Sequence, residues 1–217
     1  LSLSTLTFSF TDLGLSQYTV REIARDHSSG TAFFTNFVII RLLLAILATG
    51  IAVVAAIALD YSRPLLLAVV VACGYKAMQT LTNYSRVFYQ AFEVLKFEGI
   101  SVVVEKLLVI TFGLVVLYMI PVPSWTLFGM AVGMAITALL NLWWVHYRLA
   151  SFSVDSLDFS FIRTVLKAAI PFGIASILSI FYFRVDNIMV EALINETALG
   201  QYGLAFRVVE ALNMLPL

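Results

Sequence analysis

Apolar residues run along this chain in long blocks, separated by short polar clusters, and the blocks are too long to be strands. The first spans about Leu1–Ala24. The second, about Phe33–Leu59, is ended by Asp60-Tyr61-Ser62-Arg63-Pro64. A third, about Leu65–Gln90, turns polar towards its end. A fourth, about Gly99–Ile120, is closed by Pro121-Val122-Pro123. A fifth covers about Trp125–Tyr147, and a polar stretch, Arg148–Phe161, follows. A sixth runs over about Ile170–Leu193, with Pro171 in its first turn, where a missing N–H does no harm. A seventh opens near Leu199. A hydrocarbon core about 30 Å thick takes about 20 apolar residues to cross as a helix. The pattern therefore predicts an all-α fold, a polytopic bundle of transmembrane helices with short connections between antiparallel neighbours.

Composition sharpens this picture. Hydrophobic residues make up 61% of the chain and charged residues 12%, which leaves no block that reads as soluble. The formal net charge is zero and the basic residues are spread over many loops, which excludes a nucleic-acid footprint. Cys73 is the single cysteine and cannot form an internal disulfide. His27 and His146 have no ligand-type spacing to cysteine or carboxylates, so neither a metal nor another cofactor is expected. The chain begins and stops inside apolar stretches, which reads as a piece of a longer protein.

Lysine and arginine in the connections set the orientation. One set of loops holds Arg21, Arg25, Lys96, Arg148, Arg163 and Lys167. The other holds Arg63 with Asp60, Glu191 and Glu196. The first set is expected on the cytoplasmic side of a cell (inner) membrane. Trp125 at one end of the fifth helix and Trp143 and Trp144 at the other suit interfacial belts. The apolar and acidic residues of Arg148–Phe161 suit a short amphipathic piece on the inner surface, or a hinge between two halves.

Charges left inside apolar runs are costly, so by default they line a pathway or a site. In the first helix Ser2, Thr5, Ser9, Asp12, Ser16 and Thr19 share a face, and Asp12 falls about 15 Å from the inner end. In the third, Lys76, Thr80 and Asn83 share a face, with Gln79, Arg86 and Gln90 beside them. Lys76 is about 18 Å in from Pro64, near the midplane, and reads as a cavity-facing cation; the alternative is an ion pair with Asp12. Arg86 is placed to snorkel to the inner surface. Arg41 suits either a snorkelling stem or a cavity cation. Glu105 and Lys106, being adjacent, point in different directions and suit a structural or interfacial role. In the sixth helix Ser176, Ser179, Tyr182 and Asp186 roughly share a face, with Arg184 and Asn187 nearby. In the seventh, Arg207 and Glu210 stand one turn apart and could pair. The stripes together predict a water-filled, charged interior, as a transporter needs.

Three motifs carry a resemblance. The first is Asp12-Leu13-Gly14-Leu15 followed by Val20-Arg21-Glu22-Ile23-Ala24-Arg25. The second is Pro171-Phe172-Gly173 with Tyr182-Phe183-Arg184-Val185-Asp186-Asn187-Ile188-Met189-Val190. The third is Glu196-Thr197-Ala198-Leu199-Gly200-Gln201-Tyr202 with Ala205-Phe206-Arg207. In order and spacing the chain resembles the oligosaccharide flippases of the polysaccharide biosynthesis protein family, relatives of the multidrug and toxin extruders and of the lipid II flippase. The resemblance implies a two-lobed exporter fold. Residues 1–161 would hold helices of the N-terminal lobe and a cytoplasmic connector, and residues 162–217 would open the C-terminal lobe. It also implies a cationic cavity between lobes for a polyprenyl-diphosphate headgroup and its sugar. Arg184, Asp186 and Arg207 match family positions, whereas Lys76 and Asp12 are nominated by depth and periodicity alone.

The expected function is flipping of lipid-linked oligosaccharide to the outer leaflet by alternating access, with no catalytic residues. Cavity candidates are Asp12, Arg41, Lys76, Asn83, Arg184, Asp186, Arg207 and Glu210. Expected partners are membrane lipids, the lipid-linked oligosaccharide and polysaccharide assembly proteins, with H+ or Na+ as candidate coupling ions. A drug or metabolite exporter of the same superfamily is the alternative. A membrane glycosyltransferase would need a sizeable catalytic loop, and Asp155 with Asp158 lack supporting residues.

Overall fold

A computed structural model of the chain describes residue 8 and residues 14–120, 122–153 and 156–193, with side chains through 175 (123 and 124 aside) and at 178. The described residues form six α-helices and a 3-10 turn, with no strand. They are α1 (Leu15–Arg25), the turn His27–Ser29, α2 (Gly30–Ala58), α3 (Arg63–Ala91), α4 (Leu95–Met119), α5 (Pro123–Arg148) and α6 (Phe159–Leu193). By length and composition α2 to α5 can each cross a membrane. The chain divides into two compact units, Leu1–Phe172 and Gly173–Leu217. The second opens with the later turns of α6, described through Leu193.

Local chemistry explains where the helices begin and end. Gly14 has φ 77°, a conformation that costs a side-chain-bearing residue, and α1 starts after it. The single unbroken helix expected over Leu1–Ala24 is therefore interrupted at Gly14. α3 and α5 carry proline in their first turn, where no N–H is missed. α2 and α3 end alike. Asp60 (φ 54°) and Glu93 (φ 58°) take the left-handed conformation. The next amides reach back, Tyr61 N to Ala56 O at 3.1 Å and Val94 N to Tyr89 O at 2.8 Å. This closure usually employs glycine.

α6 departs most from the pattern reading. It starts at Phe159, not near Ile170, so Pro171 lies inside the helix and not in its first turn. The reason is a cap: the Ser160 amide donates to Asp158 Oδ1 at 2.7 Å, and Ile162 N donates to Asp158 O at 3.0 Å. Similarly, α4 begins at Leu95, ahead of the expected Gly99.

α3 is the central helix, packed against α1, α2, α4 and α5. Its C-terminal half joins a cluster of large rings. Phe33, Phe34 and Phe37 of α2 meet Tyr84, Phe88 and Tyr89 of α3, with Ile23, Val145, Val165 and Ala169 around them. The Tyr84 hydroxyl donates to Phe33 O at 2.8 Å. The other end is a seam of small residues. Ala45, Ala48, Ala52 and Ala56 of α2 recur at helical spacing against Val69 and Cys73, with Phe8.

α4 and α5 meet through glycine. A Cβ at Gly129 would stand 2.6 Å from Phe112 O, and one at Gly133 2.7 Å from Leu108 O, so the two backbones touch directly. Gly129-Met130-Ala131-Val132-Gly133 is the small-xxx-small pattern of packed membrane helices.

Candidate functional site: a polar stripe on the flank of α3

Lys76, Gln79, Asn83, Arg86 and Gln90 follow one another at alternating three- and four-residue steps, which sets them on one face of α3. Glu98, Ser101 and Glu105 do the same on α4. The two faces oppose each other across the α3–α4 hairpin. At the hairpin end Gln90 Nε2 donates to Glu98 Oε1 at 2.6 Å. Further in, Arg86 Nε donates to Ser101 Oγ at 3.2 Å, and Arg86 forms an ion pair with Glu105 at 2.5 Å. Lys106 reaches the other Glu105 oxygen at 3.1 Å. The Glu105 side chain is only 3% exposed, so its carboxylate is dehydrated and held by two cations. Removing one partner of such a pair leaves a buried charge, at a cost of about 3–5 kcal/mol.

Two expectations change here. Arg86 does not snorkel; its guanidinium is engaged by Ser101 and Glu105. Glu105 and Lys106 do not diverge, because the long lysine stem folds back to its neighbour.

Above this brace the stripe is less neutralised. Asn83 is exposed and its Oδ1 accepts from Arg86 at 3.4 Å. Lys76 is half-buried, and its ammonium donates to the neutral amide oxygen of Gln79 at 3.1 Å. Lys76 lies about 20 Å from either end of α3 at 1.5 Å per residue, the costliest depth for a cation. The structure thus joins Lys76 to Gln79 and Asn83 to Arg86, within one stripe.

Arg41 belongs elsewhere. It is 3% exposed, with its guanidinium 3.1 Å from Ser16 Oγ and 5.7 Å from the centre of the Tyr84 ring. It ties α2 to α1 and α3 inside the first unit and does not reach an interface. Asp12, Arg207 and Glu210 lie outside the described residues. Arg184 and Asp186 lie on α6, but their side chains are also outside the description. Among the described residues no group of histidine, cysteine and carboxylates is placed to hold a metal ion.

Pattern reading missed the acidic face of α4 and the glycine seam. Each had a signal: the 98/101/105 spacing opposite a basic helix end, and a G-x-x-x-G in an apolar run.

The family model for "Polysaccharide biosynthesis protein" matches residues 1–216. The chain belongs to the polysaccharide biosynthesis protein family. Comparison with curated proteins and with solved structures gave no significant match. Family membership and four apolar helices of membrane-crossing length fit a membrane protein serving polysaccharide-related transport. Members of the family are typically transporter-like.

Proposed function

We propose that this family member flips a lipid-linked oligosaccharide, carried on a polyprenyl diphosphate, from the cytoplasmic to the outer leaflet of the cell membrane by alternating access. The observation that carries the reading is the stripe on α3. A lysine at mid-span, contacted by a neutral amide and followed by an exposed Asn83, offers charge for a diphosphate and hydrogen bonds for sugar. Arg86 has its charge met by Glu105 and acts as a brace. Arg184, Asp186, Arg207, Glu210 and Asp12 remain proposed cavity residues, with H+ or Na+ as proposed coupling ions. Residues 1–161 are proposed as part of one lobe and 162–217 as the opening of the next.

The test is deletion of the full-length gene in its own host, followed by measurement of where the lipid-linked oligosaccharide resides. Accumulation on the cytoplasmic leaflet with loss of surface glycan is expected, with rescue by the wild-type gene. Unchanged glycolipid distribution and lost resistance to small toxic compounds would instead favour a drug exporter.

A further inference from the structure

The polar connector after α5 is bound along its main chain by two side chains of α2. Ser153 N donates to Thr35 Oγ1 at 3.0 Å. Asn36 Nδ2 donates to Ser156 O at 2.7 Å, and Asp158 N donates to Asn36 Oδ1 at 3.0 Å. Thr35 and Asn36 are both 0% exposed. Asn36 Nδ2 also donates to Ala32 O at 2.9 Å, so both faces of its amide are engaged. From the end of α5, His146 Nδ1 accepts from Phe152 N at 2.9 Å.

The start of α6 is equally fixed. Asp158, held by Asn36, is the residue that caps α6. One turn on, the Phe161 ring packs edge-on to Phe33 with centroids 5.0 Å apart. Val165 and Ala169 then enter the cluster of rings formed by α2 and α3. The bonds grip the backbone at Ser153, Ser156 and Asp158, so they hold the connector at these points whatever its own side chains do. A dehydrated amide that loses such bonds leaves unsatisfied groups behind, which favours the closed arrangement.

We propose that the connector, held at Ser153, Ser156 and Asp158, is a strap locked by Asn36, and not a hinge. α2 fixes where and in which direction α6 begins, and the first turns of α6 belong to the packed core of the first unit.

Two measurements on the full-length protein in lipid nanodiscs or cells test this. In hydrogen exchange, the peptide covering 152–158 should be protected in the wild type, and Asn36→Leu should speed its exchange by about tenfold or more, as expected when two hydrogen bonds of a local unit are lost. Thr35→Val, which removes one bond and keeps the shape, should give a smaller rise and covers the case in which Asn36→Leu fails to fold. Wild-type exchange as fast as in a free peptide would overturn the strap. In a cysteine-free background, a Thr35→Cys/Ser153→Cys pair oxidised to a disulfide should leave surface polysaccharide output within about twofold of the reduced form, the expectation when cross-linked elements do not move apart. Output that collapses on oxidation and returns on reduction would show that the connector opens during the cycle, and the proposal would fail.

Discussion

α4 meets its two neighbours in opposite ways. Against α5 it presents backbone to glycine, at Gly129 and Gly133, with Gly113 giving room to Met130. The two helices stay close along their lengths. Against α3 it approaches over a short stretch only and is joined by Glu98, Ser101 and Glu105 reaching to Gln90 and Arg86. The first seam is dry and dispersion-held, and it tolerates no added atoms. The second is polar and bridged by long side chains. A membrane helix pair can close through small residues or through charges; only the second kind leaves room for polar groups beside it. That is why the stripe leading to Lys76 lies on the α3–α4 flank.

Four single variants and one double variant probe this contrast, and all are read by thermal unfolding of the full-length protein, the last of them as a function of pH. The largest effect is expected at the polar seam. Glu105→Ala should cost about 3–5 kcal/mol by stranding Arg86, whereas Arg86→Met with Glu105→Leu should recover most of that loss. A double variant as unstable as the single one would mean that the pair does more than balance charge. At the dry seam, Gly133→Val drives a side chain into Leu108 O and should cost about 1–3 kcal/mol or more. A neutral result would show that α4 and α5 can separate and would erase the distinction. Glu93, at the hairpin turn that sets the polar seam, is strained by its left-handed conformation; Glu93→Gly should gain about 1 kcal/mol. The smallest effect lies outside both seams. The hydroxyl of Ser28 and then its amide hold the Asp26 carboxyl below its ordinary value. A carboxylate with a lowered folded pKa adds stability above the unfolded value of about 3.9 and loses it as pH falls through the folded one. Asp26→Asn should flatten that acid limb and, at pH 7, remove the small increment that the carboxylate contributes there.

Much of this molecule was legible as pattern. Uninterrupted apolar blocks mark α2 to α5, because lipid demands length and a closed backbone ladder. The polar face of α3 was legible because helical spacing repeats. The start of α6 was not, since Phe159–Ala169 mixes charged and apolar residues and the decisive signal, Asp158 two residues before Ser160, is a single hydrogen bond. The break at Gly14 was equally silent, because glycine also occurs freely inside membrane helices. Arg86 and Arg41 show a further limit. Depth alone suggested snorkelling for Arg86 and left it open for Arg41, but Glu105 lies on a different helix and Ser16 on another, and no local spacing announces such partners. Asn36 gave no periodic signal at all, since its bonds join positions more than a hundred residues apart in the chain.

The central claim is that the cation at mid-span of α3 reads the anionic headgroup of a lipid-linked sugar. The most direct measurement compares Lys76→Gln with Lys76→Arg in the full-length protein at matched membrane levels, scoring the leaflet distribution of the lipid-linked oligosaccharide. The account predicts that Lys76→Gln traps the glycolipid on the cytoplasmic leaflet while Lys76→Arg, which keeps the charge, supports export. Normal export by Lys76→Gln would contradict it.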